Sequence, residues 1–153
     1  MKPFPHRYDV RLDGGPAGYA DVSADGLPSI RMEAPTTYDG PGDAWSPEHL
    51  LLASVEACFL LTFRAVARLS KVEFLSLEIA TEGVVDRQDG IVRFTEIVLR
   101  PRLVLPAETG RERAQAALEK AKKACLVTAS LTSTVRLEPE IAAEAPDLSP
   151  AIR

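Results

Sequence analysis

The sequence predicts an α+β domain, and three observations carry that expectation. Residues 8–33 alternate short strand-like segments with glycine turns, residues 46–70 hold one long apolar helix, and residues 75–105 read as a hairpin that precedes a second helix and a last strand. A chain of 153 residues that is 46% apolar has material for one globular core. A single domain over residues 1–153 is expected, with an ordered core from about 8 to 140.

The first strands are expected at Tyr8–Leu12, Gly18–Ser23 and Leu27–Glu33, with turns at Gly14-Gly15-Pro16-Ala17-Gly18 and at Asp25-Gly26, which makes a small antiparallel meander. Residues 34–45 then run through Pro35 and Asp39-Gly40-Pro41-Gly42-Asp43, turn chemistry long enough to suggest a functional or interfacial loop. Ser46-Pro47-Glu48 is a helix start with a reason at each position: a hydroxyl cap, a proline in the first turn and an acid at the positive dipole end. The helix should run to about Ser70. Its apolar residues, from Leu50 through Phe59 and Phe63 to Leu69, cover nearly the whole circumference, and such a helix must be buried on all sides, which favours a dimer core.

Leu75, Leu77 and Ile79 alternate with Ser76, Glu78 and Ala80 in a strand that continues to about Val85, and Asp89-Gly90 turns it into a second strand from Ile91 to Leu105. Thr109-Gly110-Arg111-Glu112 reads as a capping box for a helix with Ala114, Ala117, Leu118, Ala121 and Cys125 on one face. A final strand is expected from Ser133 to Glu138 with Val135 and Leu137 inward. The tail, residues 142–153, is expected to be loose.

Charge excludes several classes of function. The net charge is −4 and no basic run exceeds Lys122-Lys123, so the footprint of a nucleic-acid or anionic-membrane binder is missing. The longest apolar stretch, Leu50–Phe63, is shorter than the roughly 20 residues of a membrane span. Residues 1–7 contain no apolar signal segment, which sets a cytoplasmic expectation. Two cysteines, Cys58 and Cys125, lie 67 positions apart with no metal-ligand spacing, so neither a structural zinc site nor a disulfide scaffold is expected.

Cys58 lies mid-helix between Ala57 and Phe59, where the plain reading is a small hydrophobe in a packed helix. Apolar burial raises a thiol pKa and no helix N-terminus is evident nearby, so reactivity requires a cation from elsewhere in the fold. Cys125, on its own apolar face, could meet Cys58 as a resolving thiol if their Cα atoms come within about 7 Å. Glu48 has the plain reading of a helix-dipole acid. Ten residues separate it from Cys58, roughly 15 Å along one helix, so a site using both needs the carboxylate from a second subunit. His49 is a poor partner for Cys58 for the same reason, which weighs against a cysteine hydrolase, and His6 is the only other histidine. Trp45 suits a staple on the first helical turn or the floor of a substrate pocket.

The ordered set Ser46-Pro47-Glu48-His49-Leu50-Leu51-Leu52-Ala53, then Ala57-Cys58-Phe59, then Cys125 after a second helix and before a last strand, resembles the OsmC/Ohr family of thiol-dependent peroxidases over roughly residues 8–140. The resemblance implies an OsmC-like fold, antiparallel sheets packed on two long helices in an intertwined homodimer with the site at the dimer interface. It implies Cys58 as peroxidatic thiol, Cys125 as resolving thiol and Glu48 as the residue that orients an activating arginine. It further implies a small organic hydroperoxide as substrate, a dithiol reductant and no cofactor. The family's arginine follows a Gly-Gly pair, and here Gly14-Gly15 is followed by Pro16, which leaves Arg11, Arg31, Arg64 and Arg68 as candidates. The competing expectation keeps the dimeric fold without the catalysis, as a small hydrophobic ligand binding or redox-sensing module.

Overall fold

A computed structural model describes residues 3–143, which form two compact units divided between Leu51 and Leu52. The first unit contains an antiparallel sheet of β1 (Arg11–Gly14), β2 (Ala20–Ser23) and β3 (Ile30–Met32) in that order. The expected meander is present, with shorter strands. Arg11 pairs with Ser23, the last residue of β2, so residues 8–10 lie past the end of their partner strand. Leu27 is held in the next turn by a hydrogen bond from its N–H to the Ala24 carbonyl (3.1 Å), and Pro28 has no N–H to give, so β3 begins only at Ile30.

The loop after β3 contains a short 3-10 turn at Thr36–Tyr38 and is tied at its far end, where the Glu33 N–H donates to the Trp45 carbonyl at 2.9 Å. Gly40 is required there, because a Cβ at that position would overlap the Ala34 carbonyl.

Helix α1 (Pro47–Ser70) has the bounds its sequence signals predict. Ser46 is fully buried and caps it, with its Oγ accepting the His49 N–H at 3.3 Å and lying 2.9 Å from His49 Nδ1. At the other end Lys71 takes the left-handed conformation (φ 53°), and the N–H groups of Lys71 and Val72 donate to the carbonyls of Arg68 and Ala67. That is a Schellman closure built on a lysine where glycine is usual. By length and composition α1 could also cross a membrane.

In the second unit β4 (Ser76–Gln88) and β5 (Ile91–Leu105) form the long hairpin, closed by Asp89 and Gly90, both at positive φ as a two-residue turn of this kind demands. The free edge of β5 carries two short parallel strands in tandem. β6 (Thr134–Leu137) pairs with residues 96–99, and β7 (Glu140–Ala143) pairs with residues 102–105. Pro101 falls in the gap between them, where a residue lacking an N–H interrupts neither ladder. β7 corrects the expected loose tail at residues 142–143, which are in register with Val104 and Leu105. Residues 144–153 lie outside the described residues.

Helices α2 (Arg111–Ala124) and α3 (Leu126–Ala129) complete the unit. The capping box expected at Thr109–Glu112 does not form. Gly110 is the cap residue, so Thr109 lies one position outside the cap and its hydroxyl does not cap the helix. The core joins Val55, Phe59, Phe63, Val66 and Ala67 of α1 with Ile97, Leu99, Leu103 and Leu105 of β5, Ala114, Ala117, Leu118 and Ala121 of α2, and Ile141 of β7. Spacings of four, four and three put the α1 residues on one stripe, and the alternate residues of β5 supply the facing surface. All-round burial of α1 is therefore met on one side only in this chain. Leu61 and Leu69 stand 61% and 76% exposed.

Candidate active site

Cys58 lies on α1 one residue before the buried Phe59 and is itself half-buried. One turn on, the Thr62 hydroxyl oxygen stands 4.0 Å from its sulfur. The second wall comes from the junction of α2 and α3. Cys125 ends α2 in an extended conformation (φ −70°, ψ 115°), its carbonyl accepts the Ala129 N–H (3.0 Å) and the Thr128 hydroxyl (3.1 Å), and the turn so formed aims the Val127 N–H at the Cys58 sulfur, 3.5 Å away. Both thiols are free, and Cys125 is fully buried.

The two sulfurs are electrostatically unequal. Burial pushes the Cys58 thiol up, but hydrogen bonds from the Val127 N–H, the Cys125 thiol, the Thr62 hydroxyl and the Leu126 N–H outweigh it and hold Cys58 below its ordinary value. Burial pushes Cys125 up. The Thr128 donors oppose that, the neighbouring Cys58 reinforces it, and Cys125 stays above its ordinary value. The structure thus brings Cys58 and Cys125 together with the more acidic sulfur on the more accessible residue.

The sequence reading that no helix N-terminus lies near Cys58 is corrected by this geometry. The short α3 starts beside it, and its first N–H groups point at the sulfur. Thr62 was missed as well, although the residue four positions on faces Cys58 on any helix and that spacing could have found it. No such signal exists for Leu126 and Val127, because they act through their backbone, and its direction depends on a turn that the apolar pattern does not encode.

Glu48 occupies the second position of α1, and its Oε2 is buried without a hydrogen-bond partner among the described residues. His49 is engaged with Ser46, which leaves it a capping role, and Trp45 meets its ring edge-on at a centroid distance of 6.5 Å. Trp45 and His49 line an open cavity of about 420 Å³ with Gly42, Asp43 and Ala44. Of the four arginines, Arg11 pairs with Asp25 at 3.5 Å, and Arg31 pairs with Asp43 at 3.7 Å while its guanidinium lies over the Tyr19 ring. Arg64 and Arg68 are exposed on α1, about 120° and 80° around the helix from Cys58. The groups that lower the Cys58 pKa are all uncharged donors.

A long helix carrying one cysteine, a hairpin, and a second cysteine at a helix junction define a two-thiol α+β protein. The profile described as "OsmC-like protein" matches residues 40–140, and the chain belongs to that family. Among curated proteins it is 27% identical over 112 residues to the uncharacterized protein YmaD of Bacillus subtilis, covering 71% of this chain and 75% of that one. Among solved structures it is similar to an OsmC-like protein of unknown function from Vibrio cholerae (TM-score 0.82, 16% identity, 88% of this chain and 99% of that chain). It is also similar to a structure from Legionella pneumophila described as the organic hydroperoxide resistance protein OsmC (TM-score 0.72, 21% identity, 92% and 99%). The OsmC-like α+β fold expected from the sequence is the fold observed, with one correction: the second sheet is not antiparallel throughout, because β6 and β7 run parallel to β5.

Proposed function

We propose that this protein is a thiol-dependent peroxidase acting on small organic hydroperoxides in a redox-stress role, with Cys58 as the attacking thiol and Cys125 as the resolving one. The observation that carries the reading is the sulfur pair itself, in which donors lower the half-buried Cys58 while Cys125 stays buried and raised. Family membership and the structural likeness to an organic hydroperoxide resistance protein support it.

In this reaction the Cys58 thiolate attacks the terminal oxygen of the peroxide and breaks the O–O bond. The alkoxide leaves and takes a proton from solvent to become the alcohol, and Cys58 becomes a sulfenic acid. The Cys125 thiol then condenses with it, releasing water and forming a disulfide, and a dithiol reductant restores both thiols by two exchange steps. A second copy of the chain completes the site. It covers the outer face of α1 around Ala53, Ala57 and Leu60, beside a 270 Å³ groove with Leu77 and Ile79, and brings its Glu48 to the site. Light scattering on a size-exclusion column is expected to report a dimer, and a stable monomer would contradict this assembly.

The test of the chemistry is intact mass of the reduced protein after one equivalent of an organic hydroperoxide. Loss of two hydrogens per chain, abolished in Cys58→Ser together with peroxide consumption, is the expected result. An unchanged mass would favour the second reading, a small hydrophobic ligand binding or sensing module of the same fold. The feature behind that reading is Pro16 after Gly14-Gly15, where no guanidinium can arise.

A further inference from the structure

Cys58 and Thr62 lie one helical turn apart. A side chain on an α-helix leans toward the N-terminus, so Thr62 leans back over Cys58, and its hydroxyl oxygen comes to 4.0 Å from the sulfur. From the other side the Val127 N–H reaches the same sulfur at 3.5 Å. The two arginines of α1, Arg64 and Arg68, are exposed and stand about 120° and 80° around the helix from it. Two polar groups from two elements therefore converge on one atom, and neither is charged.

We propose that the Thr62 hydroxyl and the Val127 N–H together hold the Cys58 sulfur as a thiolate, doing with neutral donors what a guanidinium would otherwise do. The inference rests on the peroxidase reading for its purpose and on the contact geometry for its substance. The hydroxyl matters in two ways. It can rotate to donate to the thiolate and, once Cys58 is oxidised, rotate again to accept from the sulfenic O–H, whereas a backbone N–H can only donate. It also adds no net charge to an apolar helix, so the site needs no counter-ion there. Thr62 thus serves as a donor to the reacting atom, distinct from Glu48, which would act through another group.

The test is the pH-rate profile of iodoacetamide alkylation at Cys58, assigned by peptide mass, in the wild type, Thr62→Val and Thr62→Ser. Alkylation needs no peroxide turnover, so it reads the thiolate whether or not the protein is a peroxidase. Thr62→Val keeps the shape and removes the hydroxyl, and it is expected to raise the apparent pKa of Cys58 by about half a unit to one unit, the scale of one hydrogen bond. Thr62→Ser keeps the hydroxyl and is expected to retain the wild-type profile. An unshifted profile in Thr62→Val would overturn the proposal. So would equal shifts in both variants, since that pattern belongs to packing. Peroxide consumption, measured separately, tests the peroxidase reading: if it is absent while Thr62→Val still shifts the alkylation profile, the donor role stands and the peroxidase reading falls.

Discussion

At the residue scale the two cysteines differ in access and in acidity, and the differences reinforce each other. As pH rises from acid, Cys58 loses its proton first, because its donors favour the anion, while burial keeps Cys125 protonated. Iodoacetamide near neutral pH is expected to label Cys58 alone, with Cys125 labelled only after denaturant is added. Labelling of both at similar rates in the folded protein would contradict the burial of Cys125. Because the donors to Cys58 are neutral, its apparent pKa is also expected to move little between low and high salt. A thiolate held by an exposed cation would titrate higher as salt screens the attraction. The two cysteines were legible in the sequence as residues on apolar helical faces. The surroundings of Cys58 were not read from the sequence: periodicity could have pointed to Thr62, one turn on, but it is silent on where a turn aims its peptide groups.

At the element scale the helix starts and stops show where local chemistry suffices. Ser46-Pro47-Glu48 opens α1 as its residues foretell, because each acts on its own backbone. Thr109-Gly110-Arg111-Glu112 offered a similar pattern and failed, because α2 begins one residue later than the box requires. The strand β7 was missed because Pro139 and the alanines after Ile141 carry no alternation, and its pairing is decided by the edge that β5 leaves open. The end of α1 is a place to gain stability. Lys71 is held at φ 53°, which costs an ordinary residue roughly 1 kcal/mol and glycine almost nothing. Lys71→Gly is therefore expected to stabilise the fold by up to about 1 kcal/mol in urea unfolding, and a loss of stability would show that the lysine side chain contributes something beyond the closure.

At the scale of the whole molecule, sheet and helices were readable, and the assembly of the second sheet was not. Its outer surface is a charged lattice across four strands. Arg100 pairs with Glu82 (2.9 Å) and Glu138 (3.0 Å), Arg136 with Glu96 and Glu138, and Arg102 with Glu78 and Glu140. Val98 is buried on this face, flanked in register by Glu82 and Arg136, outside the main core. These pairs are largely exposed, so Glu138→Gln is expected to cost less than about 1 kcal/mol and to lose that effect in high salt. Phe59→Ala, which empties the core, is expected to cost about 3–5 kcal/mol at any salt concentration. Comparable costs for the two would mean that the lattice, and not the apolar interior, holds the sheet. The tandem strands on β5 also govern the order in which the molecule comes into being. Both join positions roughly 38 residues apart, and α2 and Cys125 lie inside the loop that they close. During synthesis the hairpin and α1 can form while Cys125 is still on open chain, and the second sulfur is secured in its place only once that loop has closed.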